Sequence, residues 1–278
     1  MTAARRMKLV LVFGNLQTSP HGGIPTVNRQ MLRQIARRTD PDALTIEAWI
    51  LYDAPADPEE VAKAIGLSGR PFVHRAYGGS KARMLAAAAL ARPRPDVVVS
   101  THLNLSPAAR LLCGEGTRFY QFLHGIECWR PLSPPTRWAL GAASELLSNS
   151  AFTHERFLHF SPAFQGLRNH VCSLGVAEER ALGAAVERDA GQVEDAPSIL
   201  IAGRVMRSEA YKGHDELLEV WPAVRKCFPR ARLDIVGTGD GLMDLQAKAG
   251  RLGLLAGGAV ALWGRVSDEE LRARYEAC

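Results

Sequence analysis

Residues 199–218 read ILIAGRVMRSEAYKGHDELL. The aliphatic run Ile199 to Ala202 predicts a strand that ends at Gly203-Arg204, and after a polar loop Lys212-Gly213 opens a helix over Asp215 to Cys227. Asp215 reads as its N-cap, while Leu217, Leu218, Trp221, Val224 and Phe228 recur at helical spacing and form one apolar face. A loop that carries two cations to a helix start suits an anion, because the first N–H groups of a helix have no partner within it and carry partial positive charge. Arg204 would grip phosphate oxygens with its planar fork and Lys212 would act as a compact point charge. A diphosphate gains charge as it leaves, which is what such a site would stabilise. Residue type alone equally allows two solvated loop cations.

Working outward, short β-branched runs recur between helical patterns at Leu9 to Phe13, Leu44 to Leu51, Asp96 to Ser100, Phe119 to Leu123 and Glu145 to Ser148. Strands separated by helices favour parallel α/β layers. The pattern breaks over Leu182 to Pro197, a polar stretch without periodicity, and a second series follows. Ala231 to Val236 and Ala259 to Trp263 join Ile199 to Ala202 as strands, with helices at Leu242 to Leu252 and from Ser267 onward, where Ser267 and Glu270 fit a capping box. The expected division is a first domain over 1–181, a linker over 182–197 and a second domain over 198–278. Three strands are few for an open sheet of this class, so the second domain is expected to be incomplete.

Composition bounds the function. With 47% hydrophobic and 23% charged residues, the 278-residue chain has the make-up of a soluble globular protein, expected in the cytoplasm. A net charge of +5 fits an anionic ligand or an anionic membrane surface and does not call for nucleic acid. Cys113, Cys128, Cys172, Cys227 and Cys278 stand singly, without the spacing of a zinc site or a disulfide framework. Neither a metal nor a cofactor is expected. No run approaches the ~20 apolar residues of a spanning helix. Arg29, Arg33 and Arg37 fall on one helix face opposite Val27, Met31 and Ile35; they read as a solvated basic face or as a peripheral contact with an anionic inner leaflet.

Six stretches in one order resemble the retaining glycosyltransferases of the GT-B class, family 4 in particular. They are the N-terminal strand with Gly22-Gly23 and Arg29, HGIECW at His124 to Trp129, LLSNSAFT at Leu146 to Thr153, the Arg204 to Asp215 block, IVGTGDG at Ile235 to Gly241, and LWGRVSDEEL at Leu262 to Leu271. The resemblance implies an α/β fold of two Rossmann-like domains facing a cleft, the second incomplete. It also implies transfer of a sugar from a nucleoside diphosphate sugar to a hydroxyl of a glycan or lipid-linked acceptor, with retention. Arg204 and Lys212 match the pair that binds the donor diphosphate, and Glu209, Gly237 and Gly239 fall in the donor-contacting stretches. Gly22 and Gly23 match a loop whose backbone approaches the donor phosphates, and His124 matches a histidine facing the transferred sugar. Trp263 to Val266 match the loop that contacts the base, with Arg265 a further phosphate or ribose contact.

Two departures stand against this pattern. Ser173 to Val176 read SLGV where the family commonly has an Asn-Gly turn. The family's Glu-x7-Glu motif has no counterpart up to Cys278, so the chain alone is expected to bind donor poorly and catalyse little. Three other classes remain open: a sugar-nucleotide epimerase of the same fold, a non-catalytic nucleotide-sugar-binding module, and a nicotinamide enzyme. The last is weak, because Gly237, Gly239 and Gly241 are spaced G-x-G-x-G and Leu252 to Val266 contain no acid.

Overall fold

The computed structural model describes residues 6–17, 23–175 and 197–278. Two compact units divide the chain, Met1–Leu182 and Gly183–Cys278. The stretch expected to be a linker lies outside the described residues except for Pro197, as do Gly22 and Val176.

Unit 1 is built on seven parallel strands in the order β3-β2-β1-β4-β5-β6-β7. These are β1 (Met7–Phe13), β2 (Leu44–Ile50), β3 (Phe72–Ala76), β4 (Val97–Ser100), β5 (Arg118–Leu123), β6 (Glu145–Ser148) and β7 (Asn169–Val171). The helices are α1 (Gly23–Arg38), α2 (Pro58–Ala64), α3 (Lys81–Leu90), α4 (Ser106–Leu112), α5 (Pro134–Leu140) and α6 (Ala151–Phe160). Alternation along β1 explains the layering. Leu9, Leu11 and Phe13 pack with Leu32, Ala36 and Val61 on one face, while Val10 and Val12 pack with Met84, Ala88, Ala108 and Ala109 on the other. Helices thus cover both faces, and the strand order reverses direction between β1 and β4, which is where ligands collect in doubly wound sheets.

The sequence reading needs correction at two places in this unit. It missed β3 and β7, short strands carrying His and Arg or Asn at positions that break an apolar run. The expected solvated arginine face of α1 is also largely engaged. Arg29 Nη1 donates to the Leu16 carbonyl at 2.9 Å and Arg33 Nε donates to the Ile65 carbonyl at 2.8 Å, and both side chains are half-buried.

Unit 2 is a three-stranded parallel sheet in the order β10-β9-β8, with β8 at Ser198–Ala202, β9 at Arg232–Val236 and β10 at Val260–Gly264. Its helices among the described residues are α7 (His214–Cys227), α8 (Leu242–Arg251) and α9 (Asp268–Ala277). Leu218 and Trp221 of α7 and Leu245 and Ala249 of α8 bury Leu233, Ile235 and Val260. Trp221 Nε1 donates to the Ala259 carbonyl at 3.0 Å, so the largest buried side chain of this core leaves no polar atom unpaired. The Ser267–Glu270 capping box is present. No helix among the described residues is long and apolar enough to cross a membrane.

Candidate active site

In unit 1 the loops after β4, β5 and β6 bring a set of polar groups to the carboxyl end of the sheet. His124 follows β5. Its backbone N–H donates to Glu127 Oε1 at 2.6 Å, and its carbonyl accepts from Asn149 Nδ2, at the end of β6, at 2.5 Å. Gly125, at φ 153°, then turns the chain so that Glu127 folds back on His124; a side chain would be strained in that conformation. The imidazole lies against Phe122, with ring centroids 4.6 Å apart. Its Nε2 is buried and has no partner in the structure.

Burial lowers the pKa of His124; the Glu127 carboxylate and a backbone hydrogen bond to Thr101 act the other way, and His102 adds to the lowering. His102, after β4, is lowered by burial as well, against Glu127 and with Arg130. Its Nδ1 accepts from Asn104 N at 3.1 Å. Both rings are therefore held neutral around one carboxylate. With Nδ1 of His124 directed to the Thr101 backbone, its Nε2 is left as a hydrogen-bond acceptor.

Sequence reasoning singled out His124 as a candidate but gave no role to His102, Glu127 or Asn149. The signals were a polar residue within two positions of the strand ends at Ser100 and Ser148, and an acid three residues after His124. Of the Gly22-Gly23 pair, Gly23 is the first residue of α1 and exposed, whereas Gly22 falls outside the described residues.

In unit 2 three loops meet at the carboxyl ends of the strands. Gly203 N donates to the Val236 carbonyl (2.9 Å), Val205 N to the Thr238 carbonyl (3.0 Å) and Gly237 N to the Gly264 carbonyl (2.8 Å). The glycines of GTGDG have a packing reason. A Cβ at Gly237 would fall 1.7 Å from the Gly203 carbonyl oxygen, and one at Gly239 would fall 1.9 Å from that of Val205. Asp240 Oδ1 accepts from Arg207 N at 2.8 Å and closes the arrangement. Arg265 is exposed and Val266 half-buried in the third loop.

On this platform Arg204 and Lys212 converge on one carboxylate. Arg204 Nη2 pairs with Glu209 Oε1, and Lys212 Nζ pairs with Glu209 Oε2 at 2.7 Å. The side chains are 71% (Arg204), 28% (Lys212) and 15% (Glu209) exposed, so the acid lies beneath the cations. Helix α7 starts directly after Gly213, which adopts the left-handed conformation (φ 84°) and supplies no side-chain cap. This corrects the N-cap assignment of Asp215. That residue sits inside the first turn and pairs with Lys248 of α8, a partner that sequence spacing could not show.

This geometry can be set against known proteins. Residues 196–278 match the family model for glycosyl transferases group 1. Nearly the whole chain aligns with several solved structures. The apo form of the lipopolysaccharide outer core galactosyltransferase WaaB aligns with a TM-score of 0.61 at 16% identity, over 98% of this chain and 71% of that one. HepE from Anabaena, solved with UDP and glucose, aligns with a TM-score of 0.60 at 16% identity, over 95% of this chain and 70% of that one. The α,α-trehalose 6-phosphate synthase of Burkholderia multivorans aligns with a TM-score of 0.59 at 13% identity, over 98% of this chain and 76% of that one. No curated protein sequence matches the chain. These likenesses establish the fold as that of the GT-B glycosyltransferases.

Proposed function

We propose that the protein is a glycosyltransferase that takes a nucleoside diphosphate sugar and passes its sugar, with retention, to a hydroxyl of a glycan or lipid-linked acceptor. The observation that carries this reading is the meeting of Arg204 and Lys212 on the two oxygens of one acid, at the carboxyl end of β8 and beside the start of α7. It lies within the segment matching the glycosyl transferases group 1 model. Two fixed cations are matched to a diphosphate whose negative charge increases as the bond to the sugar breaks. They supply there the charge that a divalent ion supplies in other transferases.

His124 is assigned to the sugar. Its neutral ring, fixed by the Thr101 backbone and by Glu127 and Asn149 on its own backbone, offers Nε2 as acceptor to a hydroxyl. Gly23, the glycines 237 and 239, Arg265 and Val266 remain donor-side assignments. An anionic membrane surface as partner is assigned to Arg38, exposed in the last turn of α1.

Calorimetric titration with UDP, GDP and ADP tests the reading. One diphosphate is expected to bind saturably, and Arg204→Ala or Lys212→Ala to weaken it by about ten- to a hundredfold, the worth of a charge-assisted hydrogen bond. Binding indifferent to both changes would show that the site has been misplaced.

A further inference from the structure

Glu209 is an odd neighbour for a phosphate site. It is an acid three residues before Lys212, and it takes both cations, one on each oxygen. A carboxylate so held presents two oxygens in a plane to an arginine and a lysine, much as a phosphate group would. The Arg204 partner is largely in water, so the pairing adds little to the stability of the fold and is readily surrendered. Its consequence falls instead on binding, since an anion entering the site meets two positive charges already offset by one negative charge.

We propose that Glu209 is a built-in counter-ion. In the free protein it holds Arg204 and Lys212 together and lowers their attraction for anions, and it yields them when a diphosphate arrives. The inference rests on the anion site proposed above and deepens it. A transferase must release the nucleoside diphosphate after each turnover, and a carboxylate waiting to reclaim both cations favours that release.

The test is titration of UDP, GDP and ADP into the wild-type protein, Glu209→Gln and Glu209→Asp, each at two salt concentrations. Glu209→Ser, which removes the same charge with a smaller side chain, serves as the second variant should Glu209→Gln melt early. Charge removal is expected to tighten binding of the preferred diphosphate about tenfold and to steepen its loss with salt, because the site gains one net positive charge. Glu209→Asp keeps the charge and stays within about threefold of wild type. Weaker or unchanged binding in Glu209→Gln and Glu209→Ser, with wild-type binding intact, overturns the counter-ion role while leaving the anion site standing. Absence of diphosphate binding in wild type and variants alike overturns both.

Discussion

The two units solve the same problem, holding polar groups at the carboxyl end of a parallel sheet, in opposite ways. In unit 1 the groups follow β4, β5 and β6, strands paired on both sides, and burial keeps His102 and His124 neutral. In unit 2 they follow β8, which among the described residues has a partner on one side only, and the groups are ionised side chains reaching toward water. Desolvation accounts for the difference. Flanking strands and loops strip water from a central strand end, which favours neutral donors and acceptors, whereas an edge strand leaves enough water for charge to persist.

The largest expected effect comes from a pair of glycines in matching strain. Gly125 in unit 1 and Gly237 in unit 2 have φ of 153° and 147°. Around Gly125 a Cβ would meet only Trp129 Cζ2, at 3.7 Å, whereas at Gly237 it would collide with a backbone carbonyl. Gly237→Ala is therefore expected to destabilise unit 2 by about 4 kcal/mol or more, the range reserved for steric disasters. Gly125→Ala should cost unit 1 about 1–3 kcal/mol, the strain alone. Hydrogen exchange resolved by segment separates the two. Equal losses would mean that the strand-end loops of unit 2 can move apart, contrary to the close packing described.

One buried charge cluster in unit 1 sharpens the contrast. Glu47 in the middle of β2 is almost fully buried and is met by Lys8 (2.8 Å), Arg75 and Trp49 Nε1 (2.7 Å). Burial pushes its pKa up, but Lys8 and Arg75 together outweigh burial and bring it below the ordinary 4.5. A depressed folded pKa contributes stability that is complete above the unfolded value and lost as pH falls through the folded one. Unit 1 should accordingly weaken below about pH 4.5. Glu47→Ala, which leaves two cations without their acid, is expected to cost about 3 kcal/mol in denaturant unfolding. A loss under 1 kcal/mol would show that water reaches the cluster.

How much of this was legible follows from the same contrast. The strand-loop-helix at 199–218 was readable because its cations, glycines and apolar face are consecutive in sequence. Glu209 was visible as a residue, but its bridging of two cations depends on the fold of the loop. His124 was singled out by resemblance, whereas His102, Glu127 and Asn149 join it as candidates only when the loops after β4, β5 and β6 are brought together. The arginine face of α1 failed because periodicity places residues on a helix face but not the carbonyls of Leu16 and Ile65 beside it. Spacing argued against a dinucleotide role for the GTGDG turn, while its packing against Gly203 and Val205 required the structure.

Acidification provides a milder comparison. His74, His102 and His124 in unit 1 and His214 in unit 2 are all lowered, chiefly by burial. A histidine whose folded pKa lies below the unfolded 6.5 takes up its proton first in the unfolded chain, so stability declines as pH falls from about 6.5 toward the folded values. Three such groups against one predict a steeper decline for unit 1 between pH 6.5 and 5. Exchange rates followed for each unit across this range give the slopes, and His124→Gln should flatten that of unit 1. Parallel slopes would break the claim that burial shapes one site and charge the other.

The smallest effect concerns helix starts. In unit 1, α2, α3, α5 and α6 are capped by the side chains of Asp57, Ser80, Ser133 and Ser150, whereas α7 and α8 of unit 2 start after Gly213 and Gly241 without such a bond. A side-chain cap uses up N–H groups at the helix start, and a glycine start leaves them available near the proposed anion site. Among the described helices of unit 2, α9 alone has a side-chain cap, from Ser267. Since α9 has no buried residue, Ser267→Ala should fray it by about 1 kcal/mol without altering nucleotide titration. Amide exchange at Glu270, whose N–H donates to the Ser267 hydroxyl at 3.1 Å, gives the direct readout. A change in diphosphate affinity on that substitution would mean that α9 belongs to the site, and the division of labour between capped and uncapped helices would have to be redrawn.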